Sequence, residues 1–382
     1  MISNPILLDY QSSTPCFKEV IEVMNPYWSE IFANPSSKSN LAGIKASAAL
    51  EFARDQITKN LDLVNKKIIF TSGATESNNL ALFGFARHFY KETGNFGNII
   101  TLKTEHHAVL EPLRQLKREG FSITEIIPGK DGLISEEKLI SSIKSDTFLI
   151  SIMFANNEIG VVQPVESIFK LCKSRQITFH TDAAQCLGYL PIENIDKIAN
   201  MITISSHKIY GPKGVGLLLL DKDIQLQPLI LGGGQESGFR SGTIPLPLII
   251  GFSKAIELAI QNQQDNFKKL SQDRNNLMEG LLRHNSGLTI NGSLTNRLPN
   301  NLNITVSEVR GSSLHKILKP KIICSSGSAC SNGEPSHVLQ ALGKSFIEAE
   351  ASIRLSVGLS TTEEEIEKAI NIISNSINTL RK

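Results

Sequence analysis

A chain of 382 residues, 41% hydrophobic and 20% charged, has the composition of a soluble globular protein. Its length exceeds what one hydrophobic core usually serves, so two packed lobes are expected. Lys and Arg number 39 against 37 Asp and Glu, and the net charge of +2 is too weak to argue for nucleic acid or an anionic membrane as a partner. No apolar run is long enough to span a bilayer. Met1-Ile2-Ser3-Asn4-Pro5 lacks the regions of a signal peptide, so a cytoplasmic location is expected. The five cysteines, Cys16, Cys172, Cys186, Cys324 and Cys330, have no CxxC spacing. That argues against a disulfide framework or a zinc site and leaves room for one reactive thiol.

In chain order, Ile6-Leu7-Leu8-Asp9-Tyr10 reads as a short strand that ends in a polar turn. Asn34-Pro35-Ser36-Ser37 opens a helix with hydroxyl caps, running to about residue 60. A strand–helix alternation then sets in. Strands are expected at 67–70, 98–102, 123–127, 148–154 and 177–180, with helices at 75–88, 108–119 and 165–173. Met201-Ile202-Thr203-Ile204 and Gly214-Val215-Gly216-Leu217-Leu218-Leu219-Leu220 read as two further buried strands. The pattern is that of an α/β protein, with a predominantly parallel sheet covered by helices on both faces. Ligands of such sheets bind beyond the carboxyl ends of the strands. After a glycine-rich connection at 231–243, one long helix over 246–283 is expected to tie the lobes together. Strands at 288–291, 302–306 and 352–356 follow, and a capping box at Thr362–Glu365 opens a last amphipathic helix.

Polar residues cluster at the expected strand ends. Ser205-Ser206-His207-Lys208 lies between the two most apolar strands. A lysine there is placed for desolvation, which makes the amine nucleophilic and able to form an imine with an aldehyde cofactor. A lysine on a surface turn is the competing reading. Ser72-Gly73-Ala74-Thr75 at a strand-to-helix turn suits a phosphate, although plain helix capping uses the same residues. Asp182, at the end of another strand, suits a protonated pyridine nitrogen, and the alternative is again a cap. His180-x-Asp182 with His106 also has the composition of a two-His-one-carboxylate iron site. His106-His107 follows at another strand end, where one of the two could stack on an aromatic cofactor and pass protons, and a pair of exposed loop histidines is the competing reading. Cys330 sits among small residues in Ser326-Gly327-Ser328-Ala329-Cys330-Ser331-Asn332-Gly333, surroundings that suit a thiol which must reach a substrate. Arg354, alternating with apolar residues in a strand, suits a substrate carboxylate or a plain salt bridge.

As a set, 70–80 (Phe-Thr-Ser-Gly-Ala-Thr-Glu-Ser-Asn-Asn-Leu), Thr104-Glu105-His106, the Asn156–Pro164 stretch, the Lys208 stretch and Arg240-Ser241-Gly242-Thr243 resemble the NifS/IscS-type cysteine desulfurases of the class V aminotransferase fold. The resemblance implies the aspartate aminotransferase-like fold of type I. It further implies a large cofactor domain over 15–255 and a smaller α+β domain made of 1–14 and 256–382. Pyridoxal 5'-phosphate would be held covalently on Lys208, with Asp182 on the pyridine nitrogen, Gln185 on the phenolic oxygen and His106 on the ring. Ala74, Thr75, Ser205 and His207 would hold the phosphate, joined by Thr243 from the second subunit of a homodimer. Asn157 and Arg354, with Asn34, would hold the carboxylate of L-cysteine. Sulfur would pass to Cys330 as a persulfide, L-alanine would leave, and an acceptor protein in iron–sulfur assembly, tRNA thiolation or DNA phosphorothioation would take the sulfur. Cys330 and Glu334 are separated by three residues, a shorter tether than in most relatives. Another class V enzyme, such as a selenocysteine lyase or an aminotransferase, is the alternative, as is a non-catalytic scaffold.

Overall fold

The computed structural model describes residues 4–192, 194–326 and 335–382. A short strand, β1 (Ile6–Leu7), comes first. Seven strands among the described residues then build the principal sheet: β2 (Lys66–Thr71), β3 (Asn98–Leu102), β4 (Ser122–Ile126), β5 (Thr147–Ser151), β6 (Thr178–Asp182), β7 (Met201–Ser205) and β8 (Gly216–Asp221). Their order is β2-β8-β7-β6-β5-β3-β4. Only β8 runs against its neighbours, so the sheet is mostly parallel, as expected.

The apolar runs are explained by burial on both faces. Leu217 and Leu219 of β8 belong to one core and Leu218 and Leu220 to another. Ile68 and Phe70 of β2 likewise face away from Ile69. Successive side chains alternate faces, so a strand with helices on both sides is apolar throughout. Each such leucine contributes roughly 1.5–3 kcal/mol of transfer free energy. Helix Ala74–Thr93 supplies Leu80, Ala81 and Leu82 to the second core.

Beyond the sheet, the long helix expected over 246–283 is two helices, Leu246–Gln261 and Gln263–His284. The break is at Asn262, whose Nδ2 and backbone N–H both donate to the Leu258 carbonyl. Such local side-chain bonding competes with helix continuation. β9 (Leu288–Ile290), β10 (Asn301–Val306), β11 (Ile322–Ile323) and β12 (Ser352–Ser356) follow. β9, β10 and β12 form an antiparallel sheet, while β11 pairs in parallel with β1. The final helix, Glu363–Leu380, opens on the expected Thr362–Glu365 capping box. Among the described residues no helix is long and apolar enough to cross a membrane.

Parallel strands send their carboxyl ends to one edge. Thr71 and Ser205 both pair there with Gly216, the first residue of the reversed β8. A Cβ on Gly216 would lie 2.8 Å from Gly73 Cα. The two turns can therefore meet only because that side chain is missing.

Candidate active site

A cavity of about 660 Å³ opens at this edge. Ten of the expected site residues line it: Ala74, Thr75, His106, Asn157, Asp182, Gln185, Ser205, His207, Lys208 and Arg354. Asn34 and Thr243 do not line it within one chain. Both are exposed, and Asn34 Oδ1 accepts the Ser36 N–H at 2.9 Å. Cys330 lies outside the described residues, but Ser325 and Ser336 on either side of it line the cavity.

Lys208 ends a single tight turn that begins where β7 stops. Its Nζ donates to the carbonyls of Gln11 at 2.6 Å and Ser12 at 2.8 Å. Asp182 is the last residue of β6, and its Oδ2 accepts from Asn78 Nδ2 at 2.7 Å and its Oδ1 from the Ala184 N–H at 3.0 Å. Gln185 Nε2 donates to the Gln11 carbonyl at 3.2 Å. His106 caps helix His107–Glu119, and its Nδ1 accepts the Ala108 N–H at 3.0 Å. Nδ1 must therefore be bare, which leaves the neutral ring's proton on Nε2. Burial lowers the His106 pKa; Asp182 opposes the shift, and Lys208 adds to it.

At the other end of the cavity, Gly73 takes φ 148° before helix Ala74–Thr93, and no side chain caps that helix start. Its first N–H groups are thus oriented toward an anion. Ser205 Oγ is buried with no partner among the described residues. His207 is pushed down to about 4 by burial, aided by Lys208 and Lys213, so near neutral pH it is an uncharged imidazole. Burial opposes ionisation of the nearby Glu76, but hydrogen bonds from Arg240 and Ser72 outweigh it and lower its pKa. Arg240 Nε meets Glu76 at 2.8 Å. An uncapped helix start, a lysine amine, an imidazole and a buried carboxylate share one cavity, and together they fit a phosphorylated aromatic aldehyde.

The iron-site alternative is corrected by the position of His180. The ring is fully buried, with Nδ1 on Ser151 Oγ at 2.8 Å and Nε2 on Thr203 Oγ1 at 3.2 Å. Burial pushes its pKa down to about 3. It does not line the cavity, and no cluster of three potential metal ligands occurs among the described residues.

Glu158, Ser336 and His337, which line the cavity, and the buried Glu105, which does not, were not singled out from the sequence. Glu105 is fully buried; its Oε1 accepts the Met153 N–H at 2.7 Å and its Oε2 has no partner among the described residues. Burial raises its pKa well above the usual carboxylate range. The His337 ring lies against the Glu105 carbonyl, 2.9 Å from Nε2. Glu158 Oε2 accepts from Ser336 Oγ, which also caps helix His337–Ala341. Burial lifts Glu158 from 4.5 to about 7, with Ser336 and Arg354 pulling the other way. A carboxyl whose folded pKa is raised adds stability that is complete below 4.5 and is lost as pH rises through about 7. Glu158→Gln removes this component. Its melting temperature is expected to fall less than that of wild type between about pH 5 and about pH 8. Equal falls in a thermal-unfolding series would contradict the assignment.

The chain is similar to known proteins over nearly its whole length. Residues 6–369 fit the family model described as aminotransferase class-V. The chain is 45% identical over 383 residues to cysteine desulfurase IscS of Vibrio vulnificus, covering 99% of this chain and 94% of that protein. A solved NifS-like protein superposes with a TM-score of 0.91 at 34% identity, over 98% of this chain and 100% of that one. The structure of SspA in complex with cysteine gives a TM-score of 0.78 at 37% identity, over 92% of this chain and 98% of that one. The chain belongs to the class-V aminotransferase family, and within it to the NifS/IscS-type cysteine desulfurases.

Proposed function

We propose that the protein is a pyridoxal-phosphate-dependent cysteine desulfurase that turns L-cysteine into L-alanine and carries the sulfur as a persulfide on Cys330. One observation carries this reading: Lys208, Asp182, His106 and Arg354 share a cavity that both flanks of the Cys330 segment also line. SspA, similar over most of the chain, has been solved with cysteine bound.

The cofactor's phosphate would rest on the Ala74–Thr75 helix start, Ser205 and His207, with Thr243 of the partner subunit closing the cradle of a homodimer. Asp182 would hold a proton on the pyridine nitrogen, Gln185 would face the phenolic oxygen and His106 the ring. When bound, the cofactor supplies a sink for the electron pair left at the substrate Cα. The Lys208 amine, moved from the Gln11 and Ser12 carbonyls, takes the Cα proton. Arg354 and Asn157 hold the carboxylate and fix which bonds at Cα are presented. The Cys330 thiolate attacks the substrate sulfur. The C–S bond breaks as the S–S bond forms, its electron pair stays with Cβ, which takes a proton, and Lys208 returns a proton to Cα. L-cysteine plus the Cys330 thiol thus give L-alanine plus the persulfide, with no external oxidant.

The persulfide then passes to a protein acceptor serving iron–sulfur cluster assembly, tRNA thiolation or DNA phosphorothioation. Residues 15–255 would form the cofactor domain, with 1–14 and 256–382 the smaller one. The pairing of β1 with β11 supports that division. The test is the visible spectrum of purified protein before and after L-cysteine with a reductant, with alanine and sulfide assayed together. A yellow protein whose band shifts and that forms both products supports the reading. A colourless protein that pyridoxal phosphate does not restore refutes it.

A further inference from the structure

We propose that Gln11 is a substrate-binding residue, its side-chain amide N–H groups holding the α-carboxylate of the amino-acid substrate beside the Arg354 guanidinium. The inference rests on the desulfurase reading and adds a contact to it. The orientation of the Gln11 amide is forced by a chain of donors. Arg297 can only donate, and its Nη1 gives a hydrogen bond to Asn301 Oδ1 at 2.7 Å. Asn301 must therefore present Nδ2 on its other side, where it donates to Gln11 Oε1 at 2.6 Å and to the Glu158 carbonyl at 3.0 Å. What remains of Gln11 is Nε2, buried in a residue that is 2% exposed and lines the cavity, with no partner among the described residues.

A second orphaned donor lies on the same wall. Arg354 Nη1 donates to the Asn157 carbonyl at 2.8 Å, and Nη2 to Asp9 Oδ1 and Ser12 Oγ, each at 2.7 Å. Its Nε is buried without a partner among the described residues. In the register of β10 on β12, Asn301 faces Ser356 and Asn303 faces Arg354, so Gln11's anchor and Arg354 share one face of that sheet. The Gln11 N–H donates to Ser356 Oγ at 3.0 Å, setting Gln11 over this ladder. A carboxylate has about four lone-pair sites and is best held by several N–H donors. Gln11 also offers its carbonyl to Lys208 Nζ at 2.6 Å. One residue thus spans the lysine that meets the substrate's amine end and the arginine that meets its carboxylate.

The test compares holoenzyme of wild type and Gln11→Leu. KM for L-cysteine is expected to rise roughly tenfold with kcat changed far less. Spectral titration with L-alanine should weaken by a similar factor, while ethylamine, an amine without the carboxylate, binds both proteins equally. An unchanged KM, or equal weakening of both ligands, overturns the proposal and leaves the desulfurase reading standing. Absence of alanine from wild type would instead sink that reading. If Gln11→Leu does not fold, Gln11→Glu has the same length and places a negative charge toward the carboxylate. It should weaken L-alanine more strongly than Gln11→Leu is expected to, and wild-type affinity in it overturns the proposal.

Discussion

Lys208→Ala is expected to lower kcat for L-cysteine by about 10⁴-fold or more, because it removes both the covalent anchor and the base at one atom. Borohydride reduction followed by peptide mass spectrometry should find the cofactor on Lys208 in wild type and on no residue of the variant. Folding should largely survive. Nζ donates to the carbonyls of Gln11 and Ser12, and the Ser12 side of the contact is exposed, so water can replace one partner. A variant that still turned over at a tenth of the wild-type rate would show that another group takes the Cα proton.

Cys330→Ser should be nearly as severe for sulfur release but should leave binding intact. A hydroxyl cannot form a persulfide, so alanine and sulfide production should fall by about 10³-fold or more. The affinity for L-alanine, read from the visible band, should stay within about twofold, since Arg354, Asn157 and Gln11 are untouched. Loss of both together would mean that Cys330 supports the cavity rather than the chemistry. Retention of both would return the protein to the lyase or aminotransferase alternatives.

Much of this was legible in the sequence because burial on both faces writes itself locally. Leu217 to Leu220 supply two cores in alternation, so the run is continuous, and the polar residues that interrupt such runs fall at the sheet edge where the cavity opens. The break at Asn262 was not legible, since it falls in the polar stretch Gln261-Asn262-Gln263-Gln264-Asp265-Asn266, which the solvent-facing part of one long helix would carry equally well, and the bonds to Leu258 are what reveal the end of the helix. Nor were the pairs that set the site's protonation and donor geometry. Glu158 meets Ser336 across 178 positions, and Gln11 meets Asn301 across 290. Burial of Glu105 and Glu158 depends on such contacts, and nothing in Thr104-Glu105-His106 or Asn156-Asn157-Glu158 announces a raised carboxyl pKa. Thr243 was legible as a motif member and Asn34 only as a residue the resemblance implies, yet one chain leaves both exposed and outside the cavity wall.

The most direct measurement is a single turnover of holoenzyme with substoichiometric L-cysteine and no reductant, followed by alanine quantification and peptide mass spectrometry. One alanine for each persulfide, with the added sulfur on the peptide that carries Cys330, is the predicted result. Alanine formed without sulfur on that peptide, or sulfur found on Cys16 or Cys324 instead, would contradict the role assigned to Cys330.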